Sequence, residues 1–253
     1  MSQLTSGYAP VSGLRMYYEV HGEGQPLVLL HGGLMTIDLS FGAVLPELAA
    51  SRQVIATELQ GHGRTADIDR DLELGALAGD VAALLDHLGI ERADVLGFSL
   101  GGGVALQLAL DHPGRVNRLI LASVSTAADG MHEEITDPAR HATSTRMPTA
   151  ADFQQMQDAY ARLAPDPGHF GAFAAKASQA VGSLQGWTAT ELGGITAPTL
   201  LVFGDHDFIR LEHAVEMHGL IPGAQLAVLP GATHMAVMWR AYLIVPLVRD
   251  FLS

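Results

Sequence analysis

Residue types that can activate one another occur along this chain in the order Ser, Asp, His, each close to a glycine. Ser99 stands in Gly97-Phe98-Ser99-Leu100-Gly101, between the apolar run from Ala93 to Phe98 and a helix predicted to start near Gly102. A strand that turns abruptly into a helix forces its turn residue into a strained conformation. Only very small neighbours leave room for that turn, which lifts the hydroxyl clear of the sheet edge. A serine hydroxyl is a poor nucleophile until a histidine takes its proton, and the histidine works best when a carboxylate fixes its tautomer. Downstream, Thr199-Leu200-Leu201-Val202-Phe203 runs into Gly204-Asp205-His206-Asp207, and Gln225-Leu226-Ala227-Val228-Leu229 runs into Pro230-Gly231-Ala232-Thr233-His234. In a chain with 28 glycines the pentapeptide around Ser99 is also what a plain glycine-rich turn capping a helix looks like. An acid and a base, each just past an apolar run, weigh against that reading.

In an open parallel sheet the ligand crevice lies outside the carboxyl ends of the strands, so residues past three such ends can converge although far apart in sequence. The order Ser, Asp, His matches the arrangement of the α/β-hydrolases. Two further motifs precede the serine, His31-Gly32-Gly33 after a strand and Gly61-His62-Gly63-Arg64-Thr65 in the next loop. On these five motifs the chain resembles the α/β-hydrolase superfamily, close to the small esterases, cofactor-free haloperoxidase-like enzymes and lactonases. The likeness runs over nearly the whole length and is weak from about Ser125 to Gly194.

The resemblance implies Ser99 as nucleophile, His234 as general base and then acid, and Asp207 as the orienting carboxylate. Asp205, two positions earlier on the same loop, is the competing acid. The family's spacing, with the acid three residues after the glycine, selects Asp207. By the same resemblance the amides of Leu100 and Gly33 are the oxyanion donors, and His31 and His62 organise loops without taking part in the chemistry. Glu58 and Gln60 stand where an aspartate and an arginine are frequent in the family, which leaves the local loop network open.

The activity implied is hydrolysis of a small-molecule carboxylic ester or lactone through an acyl-enzyme. The alternatives are a carbon–carbon bond hydrolase of ring-cleavage products and a cofactor-free perhydrolase. A non-catalytic ligand-binding module of the same fold is a further reading. Relatives that open epoxides or displace halides carry aspartate at the nucleophile position, so Ser99 argues against both. Phe98 stands where carbon–carbon hydrolases commonly have asparagine. Candidate substrate-binding side chains are Phe98, Met131, Trp187, Phe208, Met235 and Trp239, each of which also reads as ordinary core.

The elements that must position these residues are legible as periodicity. Tyr8 to Val11 and Leu14 to Val20 flank Ser12-Gly13 and read as a hairpin. Buried strands are predicted at Leu27 to His31, Gln53 to Thr57, Ala93 to Phe98, Arg118 to Ala122, Thr199 to Phe203 and Gln225 to Leu229. Between them Leu74, Leu77, Ala78, Val81, Leu84, Leu85 and Leu88 recur at helical spacing on one face. The fold class is therefore α/β, a mostly parallel twisted sheet of about eight strands with helices on both faces. The stretch from Ala122 to Thr199 exceeds an ordinary connection. It is predicted to hold helices from about Met147 to Leu163 and Gly168 to Val181. By resemblance it forms a small helical cap over the serine, inserted at about 125–194 in a single domain of 1–253.

Composition narrows the partners. The 253 residues carry 27 acidic against 14 Lys and Arg side chains, a formal net charge of −13, which repels nucleic acid and anionic membrane surfaces. There is no cysteine, so disulfides and thiolate sites are excluded. Neither His206 with Asp205 and Asp207 nor His132 with Glu133 and Glu134 has the helical histidine spacing of a zinc protease, and no metal or cofactor is expected. Met1 to Pro10 lacks the basic start and apolar run of a signal peptide, and no segment approaches a membrane span, which predicts a cytoplasmic protein.

Overall fold

Two consecutive residues in the left-handed region, Ser12 at φ 45° and Gly13 at φ 84°, close the predicted hairpin between β1 (Thr5–Val11) and β2 (Leu14–His21). This is the backbone a two-residue turn needs to match strand twist. The computed structural model describes residues 4–182 and 186–253; residues 1–3, the start of the amino-terminal segment read above, and 183–185, inside the predicted cap insertion, lie outside the description. After the hairpin come β3 (Pro26–Leu30), α1 (Ile37–Phe41), α2 (Leu45–Leu48), β4 (Gln53–Thr57), α3 (Leu74–His87), β5 (Ala93–Phe98), α4 (Leu100–Asp111) and β6 (Val116–Ala122). A mainly helical segment then carries α5 (Glu133–Thr136), α6 (Ala150–Leu163), α7 (Phe170–Gly182) and α8 (Ala189–Gly193). The chain closes with β7 (Thr199–His206), α9 (Leu211–Leu220), β8 (Gln225–Thr233), α10 (Ala236–Trp239) and α11 (Ala241–Phe251).

The eight strands form one sheet in the order β1-β2-β4-β3-β5-β6-β7-β8. β1 with β2 and β2 with β4 are antiparallel, and the other pairings are parallel. Alternation along the central strands divides the core in two. Val28, Leu30, Val95 and Leu121 join Leu77, Val81 and Leu84 of α3 and Val104 and Leu108 of α4 on one face. Leu27, Leu29, Leu96 and Ile120 join Phe41 of α1 and Ile244, Val245 and Val248 of α11 on the other. A parallel sheet covered on both faces explains why these strands read as continuous apolar runs.

In α3 the predicted stripe is buried at Leu77, Ala78, Val81, Leu84 and Leu85, while Leu74 and Leu88 at its ends are only half-buried. α6 begins where Thr149 and Asp152 form a reciprocal capping box, matching the expected start. β7 and β8 run three and four residues past their predicted carboxyl ends. After a register shift between Gly204 and His206, β7 pairs again with β8 at His206 and Thr233. The two strands therefore end immediately before Asp207 and His234. Among the described residues no helix is long and apolar enough to cross a membrane.

Candidate active site

At the carboxyl edge of the sheet Phe98 pairs with Ala122, Ala122 with Val202 and His206 with Thr233, so β5, β6, β7 and β8 finish side by side. Ser99 follows β5 with φ 53° and ψ −117°, and α4 begins at the next residue. The flanking glycines are required sterically. A Cβ on Gly97 would collide with the Gly101 carbonyl, and one on Gly101 with the carbonyls of Leu30 and His31. The small residues thus let the turn sit directly on the end of β3.

Ser99, His234 and Asp207 are brought into one hydrogen-bonded row. The Ser99 hydroxyl lies 2.9 Å from His234 Nε2, and His234 Nδ1 lies 2.6 Å from Asp207 Oδ1. An ionised carboxylate only accepts, so Nδ1 carries the proton and Nε2 presents its lone pair to the hydroxyl. Asp207 is fully buried. Burial alone would push its carboxyl up, but the His234 imidazole, with hydrogen bonds from His234, the Ser123 hydroxyl and the Gly204 amide, holds it below the ordinary range. The Ser123 Oγ to Asp207 Oδ2 distance is 2.5 Å, and the Phe208 amide donates to Oδ1 at 2.7 Å. Asp205 does not join this row. Its Oδ1 takes the Ala232 amide at 3.0 Å and pairs with His206 at 2.9 Å, and the hydrogen bond from His206, with those from the Gly231 and Ala232 amides, lowers its pKa to about 2.

The His234 ring is covered on one face by an aromatic ring. Phe208 stacks on it at 3.9 Å between centroids and 4° between planes, and the Phe98 ring lies 5.2 Å away. Gly33 and Leu100 are neighbours, since a Cβ on Gly33 would lie 3.8 Å from that of Leu100. Among the described residues neither of their amides donates a hydrogen bond. Both residues border the cavity that holds Ser99. The Leu100 amide also opens a helix, whose first N–H groups favour negative charge.

The glycine loop is held from behind by two buried histidines. His31 Nδ1 donates to the Gly32 carbonyl at 2.8 Å while its Nε2 accepts from the Leu59 amide at 3.0 Å. His62 Nδ1 donates to the Gln60 carbonyl at 3.0 Å, and its Nε2 accepts from the amide of Leu34, a residue with φ 59°. Both rings need one bare nitrogen and are therefore neutral. Burial lowers His31 to about 4 against the pull of the Gly32 carbonyl, and burial together with the neighbouring His31 lowers His62 as well. In the unfolded chain both would protonate near pH 6.5. Between those values the unfolded chain binds more protons, so stability is complete above about pH 6.5 and declines as the pH falls toward 4. For His31 alone the change corresponds to about 3 kcal/mol, partly offset by Glu58, which burial pushes up. Urea unfolding at pH 7, 6, 5 and 4.5 is expected to show this decline, with a shallower slope in His31→Gln.

The departures at Glu58 and Gln60 form their own network. Buried Glu58 accepts from the Arg64 amide at 2.6 Å and its guanidinium at 2.9 Å. Gln60 donates to Asp67 and to the carbonyls of Ile68 and Arg70, and accepts from Arg70 Nε at 2.8 Å.

The cavity over Ser99 has a volume of about 260 Å³. Five of the six predicted wall residues line it: Phe98, Met131, Trp187, Phe208 and Met235. Trp239 does not, and the expectation for it is corrected. It is 39% exposed, its indole N–H donates to the Leu39 carbonyl at 2.8 Å, and it borders a separate small gap behind Met35 and Met235. Sequence reasoning missed Leu72, Leu74 and Ile135 in the wall, and missed Ser123 behind the acid. For Ser123 the sequence offers only its place directly after the predicted strand ending at Ala122, which names no partner. Beyond Met131 a wider open depression of about 920 Å³ is lined by charged residues, among them Glu133, Arg140 and Arg210, and does not reach Ser99.

A family model described as alpha/beta hydrolase fold matches residues 25–168. The chain is 32% identical to the 2-hydroxymuconate semialdehyde hydrolase of Pseudomonas sp. (strain CF600), over 96% of this chain and 92% of that protein. It is 27% identical to the 2-hydroxy-6-oxo-6-phenylhexa-2,4-dienoate hydrolase of Burkholderia cepacia, over 96% and 93%. Among solved structures, one described as an N-acyl homoserine lactone degrading enzyme superposes with a TM-score of 0.77 at 26% identity, covering 98% of this chain and 100% of that one.

Proposed function

The chain belongs to the alpha/beta hydrolase fold family, and from that premise we propose that it is a serine hydrolase that cleaves the bond beside a carbonyl carbon through an acyl-enzyme. The observation that carries this reading is the row from Ser99 Oγ to His234 Nε2 at 2.9 Å and from Nδ1 to Asp207 at 2.6 Å. Ser99 Oγ attacks the carbonyl carbon while His234 Nε2 takes the hydroxyl proton, and Asp207 steadies the imidazolium. The amides of Gly33 and Leu100 receive the charge on the former carbonyl oxygen, a contribution of about 3 kcal/mol per donor. The leaving group departs with the proton from Nε2. Water then attacks the acyl-Ser99 ester, with His234 again as base, and releases the acid.

The bond broken differs only in what leaves. An ester or lactone releases an alcohol; a diketone releases a carbon fragment as its enol, protonated by His234. Likeness favours carbon–carbon hydrolysis, because the two relatives named above are hydrolases of a semialdehyde and an oxo-dienoate, compounds whose names hold an aldehyde or ketone carbonyl and no ester. The lactone-degrading neighbour supports carbon–oxygen hydrolysis less strongly. Both bonds use the same three side chains. A fluorophosphonate probe is expected to label Ser99, located by peptide mass spectrometry, and a panel of a nitrophenyl ester, a lactone and a diketone to show which bond is cut. Absence of label on Ser99 in the folded protein would overturn the serine mechanism.

A further inference from the structure

The chemistry of the cavity wall restricts the substrate more tightly than the bond does. Nearly all of the wall is apolar, and no Lys, Arg, Asp or Glu of the described residues lines it. Residues 183–185, outside the description, are Ser, Leu and Gln, which are uncharged as well. The polar side chains outside the row are already committed. Ser123 donates to Asp207, Ser125 to the Ala127 carbonyl at 2.7 Å, and the Trp187 indole to Gln107 at 2.9 Å.

Cations stand next to wall residues in sequence but are held elsewhere. Lys176, beside Ala177, is bound by Asp67 at 2.8 Å and the Ile68 carbonyl. Arg210, beside Ile209, donates to the Asp129 carbonyl at 2.9 Å. Arg146, which has no wall residue beside it in sequence but reaches the Asp207 backbone, is divided between Glu134 at 2.8 Å and the Asp207 carbonyl at 2.9 Å. A carboxylate brought into this space would lose its water and find no counter-charge, which is among the costliest burials available to a ligand.

We propose that the substrate is an electrically neutral carbonyl compound with a compact apolar acyl part, and that substrates whose acyl chain ends in a carboxylate are rejected by this cavity. The inference rests on the serine-hydrolase reading and holds for either bond. The volume of about 260 Å³ lies at the small end of ligand pockets. Met35, Met131 and Met235 in the wall are unbranched and adaptable, so shape is selected less strictly than charge. The formal net charge of −13 acts in the same sense at long range. The relatives' names denote acids, a muconate semialdehyde and a dienoate; the neutral wall is where this chain would part from them.

The test compares 4-nitrophenyl butyrate with 4-nitrophenyl hemisuccinate, in which a carboxylate replaces the terminal methyl, and with the methyl ester of the hemisuccinate as a size control. After subtraction of the Ser99→Ala background at pH 7.5, kcat/KM for the butyrate is expected to exceed that for the hemisuccinate by roughly 100-fold. The methyl-capped compound should recover to within about tenfold of the butyrate. Ile135→Arg, which adds a cation at a half-buried wall position, should narrow the butyrate-to-hemisuccinate ratio by about tenfold. A native ratio within about threefold, a ratio unmoved in Ile135→Arg, or turnover of 2-hydroxy-6-oxo-6-phenylhexa-2,4-dienoate as fast as the butyrate would each overturn the proposal. If none of these compounds is turned over and the fluorophosphonate leaves Ser99 unlabelled, it is the hydrolase reading that fails.

Discussion

Ser99→Ala is expected to lower kcat/KM on a cleaved ester or ketone by at least about 10⁴-fold while leaving the far-ultraviolet spectrum unchanged. The reason lies in how little else the substitution touches. The hydroxyl hydrogen bonds to His234, while the Ser99 backbone is fixed separately by its amide on the Ala122 carbonyl at 2.9 Å and its carbonyl on the Gly103 amide at 3.1 Å. Alanine keeps the Cβ, and so keeps whatever strain the positive φ of 53° stores. A non-glycine residue in such a conformation costs on the order of 1–3 kcal/mol. Ser99→Gly should therefore be equally inactive yet unfold at a higher temperature than Ser99→Ala, in a thermal melt of the two proteins side by side. A melting temperature of Ser99→Gly no higher than that of Ser99→Ala would show that the strain does not exceed the extra entropy glycine gives the unfolded chain. Activity retained by either variant would remove Ser99 from the chemistry.

What the sequence made legible follows from how each residue is fixed. The strands of the central sheet are buried on both faces, so their apolar runs stand out. Gly97 and Gly101 could be read as a steric requirement because nothing larger fits beneath the turn. The ends of β7 and β8 were less legible: pairing resumes at His206 and Thr233 after a bulge, through Gly, Asp, Pro and Ala residues that carry no strand signal of their own. Ser123 escaped notice because a single serine has no period. Only the register of β6 beside β7, with its amide on the Val202 carbonyl, puts its hydroxyl against Asp207. Trp239 shows the opposite error, an aromatic one helical turn after Met235 that composition suggests for a pocket. Met35 and Met235 occupy the space between it and the cavity, and the indole is left at the surface.

Asp207→Asn is expected to reduce kcat by about 10⁴-fold, and Asp205→Asn by less than about tenfold, a contrast that the hydrogen-bond geometry requires. The Asp207 carboxylate is surrounded by donors: the Ser123 hydroxyl and the Gly204 amide on Oδ2, and the Phe208 amide and His234 Nδ1 on Oδ1. An asparagine has one acceptor to offer them. With its oxygen turned to Ser123 and Gly204, which are held by the strands, its NH₂ faces His234 and must donate there. Nδ1 then becomes the acceptor, the ring proton moves to Nε2, and Nε2 can no longer take the proton of Ser99. The fold survives, because the volume and the Ser123 and Gly204 contacts are kept, so the loss appears in kcat of a folded protein whose melting temperature falls only by what the Phe208 amide loses with its acceptor. Nitrogen-15 NMR of the imidazole would show the tautomer directly. Asp205 offers no such lever. Its side chain is 34% exposed, its partners are His206 and the Ala232 amide, and an amide oxygen in its place can still accept from the backbone. A larger loss from Asp205→Asn than from Asp207→Asn would transfer the orienting role to Asp205 and contradict the 2.6 Å contact on which this reading stands.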